Sequence, residues 1–247
     1  MGTHRLLAPT FGVVGFLIAG SALADWAGTA EAGLVVASGN TENETANAKL
    51  KFENTLDQWK HTLGAAALYA SDADGETANR WDVFGQTDYN FTPRTFWFGS
   101  VRYGEDAFSG FEYQATATTG LGRKFIDTDV TKFIGTAGVG YTFFETRDAF
   151  DDTGILIEEG QRESSVVFRG TLDFEHAFTE TTKLINLLAV ETGGDNTYVQ
   201  NDLSVQVKIN TVLALAVGYS VRHNTDPPSG FEETDTLTTV NLVYELK

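Results

Sequence analysis

Residues 113–144 read YQATATTGLGRKFIDTDVTKFIGTAGVGYTFF, and this stretch decides the fold. Tyr113, Ala115, Ala117, Thr119 and Leu121 fall on odd positions, ending in Arg123 and Phe125; Gln114, Thr116, Thr118, Gly120, Gly122 and Lys124 lie between them. Asp127-Thr128-Asp129-Val130 breaks the run, and Phe133, Ala137, Val139, Tyr141 and Phe143 resume it. Successive strand side chains point to opposite faces, so the pattern describes two strands with one apolar face and one small or polar face. Each arm is about a dozen residues, whereas strands in soluble domains run nearer five or six. A tilted strand crosses a bilayer in roughly 9–11 residues, apolar side toward lipid. Rings at both ends of each arm suit the two membrane interfaces. The competing reading of this stretch alone is a long hairpin in a periplasmic β-sandwich.

The N-terminus has the layout of a Sec-type signal. Arg5 is the positive n-region, Leu6 to Ala19 the apolar h-region, and Ala22-Leu23-Ala24 the cleavage motif. The expected division is a cleaved signal peptide over 1–24 and a mature barrel over 25–247. An uncleaved anchor helix is the alternative, but the apolar stretch is short for one. The chain carries no Cys, which excludes disulfides, thiolate metal sites and a lipoprotein anchor. Seventeen Lys+Arg against 34 Asp+Glu give a formal net charge of −17, and losing Arg5 makes the mature chain more acidic still. That argues against nucleic acid as a partner and against attraction to anionic headgroups.

Along the mature chain the alternation predicts twelve strands, over about 26–38, 45–56, 59–71, 79–91, 95–105, the two arms above, 162–178, 183–192, 198–209, 212–222 and 235–246. The ninth, 183–192, has no readable register, because Leu184-Ile185 and Leu187-Leu188 are apolar on both faces. Short turns follow the even-numbered strands and longer acidic segments follow the odd-numbered ones. Outer-membrane barrels have short periplasmic turns, longer external loops and an even strand count. The fold class is therefore all-β, a transmembrane antiparallel up-and-down β-barrel in the outer membrane of a Gram-negative envelope. A closed barrel also satisfies every strand hydrogen bond inside lipid.

The residues also resemble a known family. Gly33-Leu34-Val35-Val36-Ala37-Ser38-Gly39-Asn40-Thr41-Glu42-Asn43 is similar to the opening of the salt-induced outer-membrane protein family, domain of unknown function 481. Tyr103-Gly104-Glu105-Asp106-Ala107-Phe108-Ser109-Gly110 resembles its mid-chain segment, as do Gly120-Leu121-Gly122 and Gly138-Val139-Gly140-Tyr141. The resemblance covers about 28–247 and implies an outer-membrane barrel with no assigned activity and no catalytic residues to transfer. One departure stands out. Many such barrels end on an aromatic residue read by the barrel-assembly machinery, whereas this chain ends Tyr244-Glu245-Leu246-Lys247.

The functional candidates are the charges on the polar face: Lys49, Lys51, Glu53, Arg80, Asp82, Asp88, Arg102, Lys124, Arg169, Asp173 and Glu175. In a wet lumen they tune the passage of ions or small solutes; in a narrow one they pair and plug it. Hence the leading function is a non-enzymatic narrow pore or small-solute channel, the alternative a closed envelope-integrity barrel, and the third a membrane-embedded hydrolase. Loop acids (Asp72, Asp74, Glu76, Asp148, Asp151, Asp152, Glu158, Glu159, Glu232, Glu233) can hold Ca²⁺ loosely or bridge lipopolysaccharide phosphates, against the plainer reading of a solvated acidic surface. His61, His176 and His223 fall on different strands, and His223 and Ser220 on opposite faces of one, so no catalytic set is assigned. Gly135–Gly140 lies inside a strand without a following helix, so it is not a nucleotide loop; its glycines bend the barrel or leave room for inward side chains. No metal or cofactor is expected. The expected partners are lipid and lipopolysaccharide, the assembly machinery and small solutes or ions, with a monomer as the default state.

Overall fold

The computed structural model describes residues 26–37, 43–107, 109, 111–150, 156–194, 196–227 and 232–246, so the expected signal peptide lies outside the described residues. Twelve long strands build it: β1 (Trp26–Ala37), β2 (Asn43–Leu56), β3 (Trp59–Asp72), β4 (Gly75–Asn90), β5 (Thr95–Asp106), β6 (Phe111–Asp127), β7 (Thr131–Thr146), β10 (Arg162–Ala177), β11 (Thr182–Gly193), β12 (Asn196–Lys208), β13 (Leu213–Asn224) and β14 (Thr234–Leu246). A short pair, β8 (Ala149–Phe150) and β9 (Leu156–Glu158), lies between β7 and β10. Each long strand pairs antiparallel with its sequence neighbours, and β14 returns to β1 to close the ring.

Four of the five turns at one end share a device written in the sequence. Thr92, Thr128, Thr179 and Asn210 each take a turn's leading position, and each donates its N–H to the carbonyl three residues on. Their side-chain oxygens accept the N–H of Thr95, Thr131, Thr182 and Leu213, at 2.9–3.0 Å. Such residues mimic a backbone turn with their own side chains, which fixes these reversals locally. At the opposite, loop end the Asp72–Thr77 segment is tighter than expected. β3 and β4 run on to Asp72 and Gly75, and the Asp72 carboxylate accepts the N–H groups of Asp74 (2.8 Å) and Gly75 (3.2 Å). That closes a hairpin where the residue types suggested an open loop.

The two faces of the wall differ in chemistry. Leu50, Leu63, Val83, Val101, Phe168 and Leu215 are among many large apolar side chains left exposed on the outer face. The apolar core is small, a cluster of Ala214, Ala216 and Val243. A chain built this way gains its stability by facing lipid. Two aromatic girdles bound the apolar band. Near the turn end Trp59 packs on Tyr89 (4.8 Å), Tyr89 on Phe91 (5.5 Å) and Phe125 on Phe133 (5.3 Å). Toward the loop end Trp81 packs on Tyr103 (5.5 Å) and Tyr103 on Tyr113 (5.9 Å). At ~3.3 Å per residue and ~40° of tilt, Trp81 and Tyr89 lie roughly 20 Å apart in depth, close to the ~25 Å apolar band of an outer-membrane barrel.

Glycines on the inner wall seat aromatic rings. Phe96 and Phe98 are 5% and 3% exposed although they point inward. A Cβ on Gly122 would run into the Phe96 ring, and one on Gly138 would meet Phe98 Cζ at 2.9 Å. These rings lie flat on β6 and β7 because the glycines beneath have no side chain. A Gly122→Val substitution is therefore expected to destabilise the barrel by about 1–3 kcal/mol, the usual cost of overpacking. Phe96→Ala in the same chain should restore much of that loss. Urea unfolding of the detergent-refolded chain checks both; an additive double variant would contradict the seating.

Candidate functional site: the barrel lumen

Strands on opposite sides of the ring sense one another, which identifies the inner face. Arg80 of β4 lies within electrostatic reach of Tyr198 on β12 and Arg222 on β13. Arg169 of β10 lies within reach of Arg102 on β5. Asp173 of β10 reaches Lys51 and Lys60 on β2 and β3. None of these strands are neighbours in the ring, so the side chains meet through its interior.

The sequence candidates fall into two tiers on that face. Toward the loop end Arg102 donates to Asp82 at 3.2 Å, Arg169 to Glu191 at 3.4 Å, and Arg80 lies 4.0 Å from Asp106. Toward the turn end Glu53 takes Lys60 at 2.8 Å and Lys51 at 3.1 Å, Lys124 lies 3.8 Å from Asp127, and Glu175 lies 3.6 Å from Lys183. Asp88 accepts the Gln86 amide at 2.8 Å and sits within reach of Lys60 and Lys124. Lys49 is exposed and forms no ion pair among the described residues. The side chains of Lys51 and Glu53 remain 50% and 35% accessible, so solvent enters this part of the barrel.

Several inner-face residues were missed by the sequence reading. Glu31, Lys60, Glu191, Asp202 and Arg222 complete the two tiers. Asp202 and Arg222 carried the same signal as the named candidates, since they alternate with Leu203, Val205, Tyr219 and Val221. Glu191 was hidden by the apolar run in β11. Its pairing settles that register: Leu188 lies opposite Leu172 on the outer face, and Leu187 opposite Asp173 on the inner.

Several polar groups on the outer face are paired with one another. His61 Nδ1 lies 3.0 Å from Thr87 Oγ1, Trp97 donates to Thr119 at 2.8 Å, and Asn186 donates to Asn201 at 3.2 Å. His61 also stacks on Trp59, and His176 stacks on Phe174, beside the turn-end girdle. Gly85 and Gly99 leave a groove of about 630 Å³ there, lined in part by Trp26, His61 and Leu63. His223 bonds Thr234 at 2.9 Å, whereas Ser220 donates to Asp202 inside the barrel. The loop acids are used locally: Asp148 accepts the Gly160 N–H at 2.7 Å, and Glu76 the Asn79 amide at 3.4 Å. Asp151 and Asp152 lie outside the described residues. Among the described residues no cluster of three or more His, Asp or Glu could hold a metal ion.

A closed antiparallel ring of twelve strands, apolar and girdled outside and charged inside, is a β-barrel of the outer-membrane class. The chain belongs to the family described as "Protein of unknown function, DUF481", whose profile matches residues 30–246. It is 26% identical over 231 residues to the uncharacterized protein YdiY of Escherichia coli (strain K12), covering 92% of this chain and 85% of that one. Its fold is similar to an outer-membrane channel from Pseudomonas putida F1, with TM-score 0.52, 8% identity and coverage of 90% and 95% of the two chains. The translocator domain of the autotransporter NalP from Neisseria meningitidis matches at TM-score 0.49 and 12% identity, over 90% and 87%. At these identities the likeness concerns the fold.

The wall pairs can be weighed. Arg102 and Asp82 side chains are 33% and 21% accessible. A double-mutant cycle with Arg102→Ala and Asp82→Ala should give a coupling of about 1 kcal/mol or less, shrinking in high salt. Urea unfolding at low and high ionic strength measures it, and a salt-independent coupling would argue against an electrostatic origin.

Proposed function

We propose that this barrel is a non-enzymatic channel of the outer membrane, whose charge-lined lumen passes ions or small solutes. The observation that carries this reading is the direction of the ion pairs. Arg102–Asp82, Arg169–Glu191, Arg80–Asp106, Lys60–Glu53 and Lys183–Glu175 all join neighbouring strands, so they run along the wall. Ion pairs that plugged the barrel would join opposite walls. Opposed charges here sense one another without closing the gap, and Leu187, on the inner face, is still 38% exposed. In this orientation the turn end is periplasmic and the loop end meets lipopolysaccharide, with the assembly machinery as the inserting partner.

Fixed charges in a narrow water-filled path set its ion preference. The refolded mature chain is expected to give steady conductance steps in a planar bilayer. Arg102→Ala and Lys51→Ala each remove a positive charge from the path and should move the reversal potential in a salt gradient toward cations. A silent bilayer with folded protein, or unchanged selectivity in both variants, would instead favour the closed envelope-integrity barrel.

A further inference from the structure

Two arginines of the loop-side tier differ from the rest. Arg102 and Arg169 each donate a hydrogen bond to a carboxylate on an adjacent strand. Arg80 makes no such bond among the described residues, since the nearest carboxylate oxygen, on Asp106, is 4.0 Å away. Arg222 forms neither an ion pair nor a hydrogen bond among the described residues. Its Nε is packed into the wall, whereas Nη1 and Nη2 are not shut off from solvent. A guanidinium carries five donors in a rigid fork that matches a carboxylate or a phosphate. Arg80 and Arg222 therefore present accessible donors that the wall leaves unused.

These two side chains also face each other. β4 and β13 stand five places apart in the ring of twelve, so they meet only through the lumen. Arg222 acts on Arg80 more strongly than any other charge, ahead of Asp106 and Asp235. Tyr198 of β12, diametrically opposite β4, comes within reach of Arg80, Arg102 and Arg169 at once. The lumen is tighter here than at the turn end: the Arg80, Arg102 and Arg169 side chains are 16%, 33% and 25% accessible, against 50% for Lys51. Two cations opposed across a narrow gap repel one another. The neighbouring carboxylates do little to relieve this. Asp82 and Glu191 hold the other arginines, and Asp202 accepts from Ser220 and Gln200. Asp235, opposite Arg222 in the ladder, is exposed and makes no ion pair among the described residues.

We propose that Arg80 and Arg222 form an oxyanion clamp at the loop-side constriction, holding the carboxylate or phosphate group of a small solute between opposite walls. Each guanidinium offers its free N–H groups to one side of the anion, and the anion removes the repulsion between them. The clamp deepens the channel reading and rests on it for the route by which a solute arrives.

Protection against phenylglyoxal tests this on the refolded chain in detergent. The reagent modifies accessible guanidinium groups, and peptide mass spectrometry reads each arginine separately. Gluconate supplies a carboxylate, glucose 6-phosphate a phosphate, and glucose neither, all at matched ionic strength. At least one of the two anions should slow modification of both Arg80 and Arg222, by about fivefold at a concentration about four times its Kd. Which anion protects identifies the oxyanion. Glucose should not protect, and Arg162, 77% accessible at the loop rim, should react alike in every case. In an Arg80→Gln chain the protection of Arg222 should be lost. Equal rates with both anions and with glucose overturn the clamp. So does protection of Arg222 that survives Arg80→Gln, or an Arg80 or Arg222 that fails to react without anion, because a closed guanidinium cannot clamp. A chain that conducts but shows no protection loses the clamp and keeps the channel. One that is protected yet silent in the bilayer keeps the clamp and refutes the axial channel.

Discussion

Inside a bilayer no water is present to hydrogen-bond a backbone amide, so each strand must be paired on both edges. The rest of this molecule answers to that requirement. It explains strands of 12 to 17 residues, far longer than a soluble sheet needs. It explains why four of the five reversals at the turn end are fixed by a side chain of the turn itself, since a slipped hairpin would turn a strand's apolar face inward. It also explains why so small an apolar core suffices: the apolar surface that a soluble protein buries is here turned toward lipid.

The same requirement governs the side chains. A polar group on the outer face is tolerated when a neighbour satisfies it, as in His61 with Thr87 or Asn186 with Asn201. Such pairs contribute about 0.6 kcal/mol on average in membranes, so they offset a burial penalty more than they stabilise the fold. On the inner face water does this work, and charges are affordable at high density. The arginines of the loop-side tier pair with carboxylates on adjacent strands, which holds their long side chains against the wall. Where the wall has glycine, at Gly122 and Gly138, rings from β5 cover it.

Much of this was legible in the sequence, for a physical reason: alternation is local. Lys49, Lys51 and Glu53 interleave with Ala48, Leu50 and Phe52, so one strand suffices to assign both faces. The same logic failed in β11, where Leu184-Ile185 and Leu187-Leu188 look alike from either side. The lumen of β11 is lined by Ile185 and Leu187 as well as Glu191, and only pairing with β10 reveals it. The Asp72–Thr77 segment misled because acids and glycine favour loops by composition, while the Asp72 carboxylate uses the same residues to close a tight turn. The partners of Arg102 and Arg169 across the lumen were beyond reach, since they depend on which strands oppose one another in a closed ring.

The β1–β14 seam is the least local feature of all, and its shortness, from Gly28↔Leu246 only to Ala32↔Leu242, needs a cause. Chain entropy is one candidate, because Glu31 of β1 and Asn241 of β14, which are in contact, lie 210 positions apart. Loop closure grows only as about (3/2)RT ln n, so joining ends that far apart costs about 2–3 kcal/mol more than closing a ten-residue hairpin. A single backbone group left unpaired in hydrocarbon costs several kcal/mol. Entropy is therefore too weak to stop a ladder part-way, and extending the pairing past Ala32 would repay it at once. The obstacle has to be local. At Gly33 two asparagine side chains crowd the inner wall, one of them from the opposing strand, and both carry acceptors without donors. The ladder ends one residue before Gly33, where Asn47 and Asn241 fill the space a side chain would take, so the change in the seam coincides with that glycine.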